Sequence, residues 1–163
     1  MRKELDTLLC EKYPKIFRDR NAPINQTCMS WGFDCGDGWF NIIDMLCANI
    51  QSHIDNAAKQ RQWAIEWNNQ VNNPDYDWSD KKSFAERKER PVPELLDQVV
   101  AVQVKEKFGT LRFYYNGGDN YIDGLVCMAE SMSAVTCEVC GNPGTGHDGG
   151  WIRTLCEEHK KED

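Results

Sequence analysis

With 163 residues, the chain has room for one domain, or one domain and a small appendage, and can bury a core without disulfides. Hydrophobic residues make up 40% of it, and six Trp, six Phe and five Tyr supply enough apolar surface to exclude global disorder. A net charge of -7, from 19 basic and 26 acidic residues, argues against non-specific nucleic-acid binding, which needs a basic face to displace counterions.

Residues 2–13 read as a short amphipathic helix, with Leu5, Leu8, Leu9 and Tyr13 on one face and Pro14 just past its end. Residues 14–36 look irregular, broken by Pro23, Gly32 and Gly36. Asp37 is placed to cap a second helix that starts near Trp39. This helix carries Phe40, Ile43, Leu46, Cys47, Ile50 and Ile54 at helical spacing, continues through Trp63 and Trp67, and stops by Pro74. Residues 68–93 change character: four asparagines lead into Pro74, then a charged stretch, then Pro91 and Pro93. This predicts an exposed insertion, with a short helix at 81–90. Lys81, Lys82, Arg87, Lys88 and Arg90 are interleaved with Glu86 and Glu89, as expected of a solvated face.

After Pro93 the period changes to two. Val100, Val102 and Val104 alternate with more polar positions, as do Leu111, Phe113 and Tyr115, around a turn at Glu106–Gly109. The pattern is that of a β-hairpin. Asn116-Gly117-Gly118 ends it, and Asp119 or Asn120 can cap a helix over 121–134 that buries Ile122, Leu125, Val126, Ala129 and Met132. The body, residues 1–135, is therefore α+β: helices packed on a β-hairpin or small antiparallel sheet.

Residues 136–163 carry the chemistry. Cys137 and Cys140 form C-x2-C, fifteen residues intervene, and Cys156 and His159 form C-x2-H. Each half can grip one ion. Four nitrogen and sulfur ligands with no spare position describe a closed, tetrahedral, structural Zn2+ site, one ion per chain. Gly141 relieves the first turn, and i and i+3 share one face of a helical turn in the second. His147, in the glycine-rich loop 144–150, is the alternative to His159, although its spacing fits a ligand pair less well. The order of knuckle, glycine-rich loop, short strand at 151–155 and Cys-x2-His is that of a treble-clef or zinc-ribbon-like knuckle. The N-terminal Met1-Arg2-Lys3-Glu4-Leu5-Asp6 has no signal-peptide core, and no apolar run is long enough to cross a bilayer. A cytoplasmic location is expected, where paired cysteines point to metal rather than disulfides.

The remaining Cys10, Cys28, Cys35, Cys47 and Cys127 are expected to be small buried hydrophobes. No nucleophile–base pair, paired-carboxylate motif or phosphate loop stands out, so no catalytic residues are assigned and no enzyme activity is expected. Trp63, Trp67, Tyr76 and Trp78 border or lie in the insertion. They fit a protein-binding hot spot and equally fit pins that hold the insertion to the body.

Several strings together resemble a group of small proteins of tailed bacteriophages and prophages. They are Tyr13-Pro14-Lys15-Ile16-Phe17, Trp31-Gly32 with Cys35-Gly36-Asp37-Gly38-Trp39, Val104-Lys105-Glu106-Lys107-Phe108-Gly109 with Leu111-Arg112-Phe113-Tyr114, and the terminal Cys-x2-Cys-Gly and Trp-x2-Thr-Leu-Cys-x2-His. The resemblance covers most of the chain outside roughly residues 57–97. It implies a setting, that of a phage-encoded accessory protein in the bacterial cytosol. By analogy with small acidic phage proteins that lack catalytic machinery, the leading expectation is a non-enzymatic protein that binds, and inhibits, a host protein such as one of anti-phage defence. Three alternatives stand beside this expectation: a nucleic-acid-binding accessory factor, a small metal-dependent nuclease using His147, and a sponge for a signalling nucleotide.

Overall fold

The computed structural model describes residues 1–79, 87–148 and 150–161. Helix α1 spans Lys3–Lys12, and a long helix α2 spans Phe40–Val71. A central sheet is built from β1 (Phe33–Asp34), β2 (Val100–Lys107) and β3 (Thr110–Asn116), followed by helix α3 (Asn120–Ser133). A second hairpin, β4 (Thr145–Asp148) and β5 (Ile152–Leu155), precedes a 3-10 turn at His159–Lys161. The fold is α+β, with helices on one small sheet and a C-terminal Cys/His knuckle.

The core forms where the apolar stripe of α2, from Ile42 to Ile54, meets Leu9 of α1, the inner face of the sheet and Ile122, Val126 and Ala129 of α3. Tyr13, Ile16 and Phe17 fill the gap between α1 and the sheet, and the Ile16 carbonyl accepts from the Ala101 amide at 2.8 Å. The Tyr13 hydroxyl donates to the Asp44 carboxylate (2.6 Å), which Lys12 also meets (2.7 Å), fastening α1 to α2. Burial, then this hydrogen bond, pushes the phenol up to about 12. Arg20 makes two bonds to buried Asp6, of 3.0 and 2.9 Å, and a third to the Ser30 carbonyl, so the irregular 14–36 segment is held by a satisfied ion pair.

Four local expectations are corrected. Asp37 does not cap α2; it opens a 3-10 turn (Asp37–Trp39), and its carboxylate accepts from the Arg2 amide and pairs with the Arg2 guanidinium at 2.8 Å. The regular alternation of β2 is interrupted by a bulge between Ala101 and Gln103, so Ala101 and Val104 are fully buried while Val102 is not. Segment 14–36 supplies β1, which pairs in parallel with β2 through Phe33 and Val104, so the sheet is mixed. Met132 is exposed, because α3 turns Ile122, Val126, Ala129 and Ser133 inward.

The hairpin turn is Phe108-Gly109, both at positive φ (53° and 75°). Such a two-residue turn suits the twist of the strands but favours Asn or Gly at its first position. A phenylalanine there costs roughly 1–2 kcal/mol relative to glycine. Gly109 donates to the Glu106 carboxylate at 2.6 Å, which steadies the turn. Asp119 caps α3 as expected, accepting from Ile122 at 3.1 Å. Its carboxylate also meets His53 at 2.9 Å, and that contact holds it below its ordinary value.

Candidate metal centre

The body forms a close-fitting seat for the knuckle at Gly36 and Gly38. A Cβ on Gly38 would lie 2.2 Å from the Cys137 carbonyl oxygen and 2.4 Å from the Gly141 nitrogen. One on Gly36 would lie 2.2 Å from the Glu138 carbonyl oxygen. Neither position tolerates a side chain. The same stretch bonds the knuckle directly. Gly38 donates to the Glu138 carbonyl (2.8 Å), Gly36 to the Glu138 carboxylate (2.9 Å), and the indole of fully buried Trp39 to the Thr136 carbonyl (2.8 Å). From the other side, Thr154 of β5 donates its hydroxyl to the Gly109 carbonyl at 2.6 Å. The strings 35–39 and 104–109 thus meet at one seam.

Within the knuckle, Cys137 donates to the Asn142 carbonyl (2.7 Å) and Gly141 to the Cys137 carbonyl (2.9 Å), closing a tight turn with Gly141 at φ 80°. β4 pairs with β5 from Thr145–Leu155 to Asp148–Ile152, so the glycine-rich loop is half a hairpin. This brings Cys156 and His159 opposite the turn. One ligand atom from each of Cys137, Cys140, Cys156 and His159 lies within 4.8 Å of all the others. Cys137 Sγ is 3.6 Å and Cys156 Sγ 3.1 Å from His159 Nδ1, and Cys140 Sγ is 3.7 Å from Cys156 Sγ. These are the four residues expected from spacing. They can hold a metal ion, and the cluster includes His159 and not His147, which lies in β4.

The local electrostatics favour thiolates at Cys137 and Cys156, whereas at Cys140 the lowering effect of the Asn142 amide is outweighed by burial and by hydrogen bonds with Cys137 and Cys156, which hold it above its ordinary value. Burial pushes the Cys137 thiol up, but amides aimed at it from Cys140, Cys156 and Val139 outweigh this and hold it below its ordinary value. Cys156 is lowered chiefly by the His159 amide. Glu138 is raised by burial, against the Gly36 amide and Arg153, which stands 3.8 Å away. Among the described residues, the knuckle's own core is Cys137, Leu155 and Cys156, too small to fold by burial alone.

The other cysteines divide. Burial pushes Cys35 up to about 12 and Cys47 well above its usual value, as expected of inert core thiols. Cys10 and Cys28 are half-buried, and Cys127 is exposed on α3, against expectation.

The four aromatics of the insertion come together at the far end of α2. Trp63 and Trp67 stack at 6.3 Å, Trp78 meets Trp67 edge-on at 5.8 Å, and Tyr76 lies 4.7 Å from Trp78. Arg90 lies over Trp63 (4.2 Å) and Trp67 (5.1 Å), and Arg87 over Trp78 (4.7 Å). The Trp67 indole donates to the Lys88 carbonyl at 2.9 Å, and Asn68 exchanges two 2.8 Å bonds with Arg90. Trp67 is 7% exposed and Trp63 50%, so Trp67 pins the insertion while Trp63 faces solvent. Residues 87–90 are not helical, and residues 81–86 of the expected helix lie outside the described residues.

Comparison with protein-family models, with curated proteins and with solved structures yields no match. Among the described residues, no helix is long and apolar enough to cross a membrane.

Proposed function

We propose that Cys137, Cys140, Cys156 and His159 hold one structural Zn2+ ion, and that the zinc-stapled protein is a phage-encoded, non-enzymatic factor that binds and inhibits a host protein. One observation carries the zinc assignment. Thiolates about 2.3 Å from a tetrahedral zinc stand about 3.8 Å apart, and a thiolate and an imidazole nitrogen about 3.6 Å apart. The Cys140–Cys156 separation of 3.7 Å and the Cys137–His159 separation of 3.6 Å match these edges, while Cys156–His159, at 3.1 Å, is shorter than a zinc edge. With all four positions taken by protein, zinc here does the work of a core and has no open site for water or substrate. Metal analysis of protein purified without added metal should give one zinc per chain; a zinc-free, folded protein would contradict this.

The binding reading is supported by the far end of α2. Core contacts on this helix end at Ile54, and about 25 Å of helix continues beyond it. That extension carries a half-exposed Trp63 beneath Arg90, an aromatic–arginine pair of the type that anchors protein interfaces. Tagged protein should retain one dominant host protein from bacterial lysate at moderate salt, and Trp63→Ala should lose it. Retention of the same protein by Trp63→Ala would remove this surface from consideration.

A further inference from the structure

Between the hairpin tip of the sheet and β5 of the knuckle lies a cleft of about 860 Å³. Its walls include Asp34, Lys105, Lys107 and Phe108 from the body, and Trp151 and Arg153 from the knuckle. Phe108 is 68% exposed and Trp151 is 70% exposed, among the most exposed large apolar side chains described. Neither ring serves the core. Phe108 also occupies a positive-φ position that glycine would fill with less strain. Folding therefore gives no reason for an aromatic at either place, and contact with an external molecule does.

The charges narrow its chemistry. Two of the lining carboxylates are engaged within the protein. Glu106 holds the Gly109 amide, and Glu138 holds the Gly36 amide and faces Arg153. Lys107 lies 5.6 Å over the ring of Phe108, with its ammonium group beside the aromatic wall, and Lys105, which also lines the cleft, lies 5.8 Å over Tyr114 of β3. Exposed aromatic faces next to lysines are what a flat base joined to a phosphate requires. Asp34 adds an exposed carboxylate suited to accept from a sugar hydroxyl.

We infer that this cleft binds a nucleotide, with its base against Phe108 and Trp151 and its phosphate met by Lys105 and Lys107. The site is distinct from the Trp63 surface and stands or falls separately from it.

The test is a titration of the metal-loaded protein against a fluorescently labelled ADP, followed by anisotropy. Saturable binding is expected, weakened about tenfold or more by Phe108→Gly and by Trp151→Ala. Lys105→Ala with Lys107→Ala should weaken it and flatten its dependence between about 50 and 200 mM salt. Phe108→Gly should at the same time raise the melting temperature, a split that a merely structural phenylalanine would not give. Unlabelled AMP and a four-nucleotide single strand compete in parallel arms. Displacement by AMP supports the cleft as a site for free nucleotides, and displacement by the strand alone supports it as a site for nucleic-acid ends. No saturable binding, or wild-type affinity in both Phe108→Gly and Trp151→Ala, would overturn the inference.

Discussion

The knuckle and the insertion invert what their sequences suggest. Residues 136–161 look like an appendage stapled by metal, yet they are bonded to the body through Gly36, Gly38, Trp39 and Gly109. Residues 68–93 look like a loop, yet their described part folds back onto α2 through stacked indoles and two arginines. The difference lies in what they pack against. The knuckle is bonded to the main body, whereas the described contacts of the insertion are with the far end of α2, beyond the core. Damage to the first should spread into the body's seam at Gly36, Gly38 and Gly109, and damage to the second should stay local.

Substitutions can break or sharpen this contrast. The largest effect is expected from Cys137→Ser with Cys140→Ser. Structural zinc in small sites contributes roughly 10–16 kcal/mol coupled to folding. The double variant should therefore carry no zinc by mass spectrometry and be cleaved by protease within the knuckle. Next is Gly38→Ala, which leaves every ligand in place but drives a methyl group into the Cys137 carbonyl. Overpacking against backbone should cost about 3 kcal/mol or more, read as a lower urea midpoint. Trp67→Ala is the matching lesion in the insertion. It should expose the 72–79 segment to protease while the thermal midpoint moves by less than about 2 °C, because the main core excludes Trp67.

Smaller effects test details within the body. Asp119→Ala removes the cap of α3 and should cost about 1 kcal/mol at neutral pH. The folded state lowers the Asp119 carboxyl below its ordinary 3.8, chiefly through the His53 hydrogen bond. Its contribution is therefore present above that value and fades as pH falls through the lower folded value. Wild type and variant should converge in acid, as read by thermal melts across pH. Phe108→Gly should stabilise by about 1 kcal/mol by relieving the positive-φ position.

Much of this was legible in the chain. Helical spacing gave α1, α2 and α3 nearly to the residue, and the Phe108-Gly109 turn lay within the expected hairpin. Ligand spacing gave the metal cluster, because C-x2-C and C-x2-H each fix two ligands locally. What depended on contacts between distant residues was not legible. The bulge at Ala101 and Gln103 comes from how β2 pairs, and the two-residue β1 is too short to carry a period. The Cys35-Gly36-Asp37-Gly38-Trp39 string was conspicuous, but its meaning required seeing Glu138 and Cys137 against it, about a hundred residues later. The closely spaced glycines were the only hint, since they mark a backbone where something must come near. The same holds for the cleft, whose two aromatics come from separate hairpins.

The most direct measurement is amide hydrogen exchange on the purified protein before and after removal of the metal by a chelator. If the knuckle is seated on the body as described, chelation should speed exchange at 137–156 and also at Gly36, Gly38 and the 108–111 turn, while the amides of α2 before Ile54 stay protected. Unchanged exchange throughout, or acceleration confined to the knuckle, would contradict a metal centre built into the body's own seam.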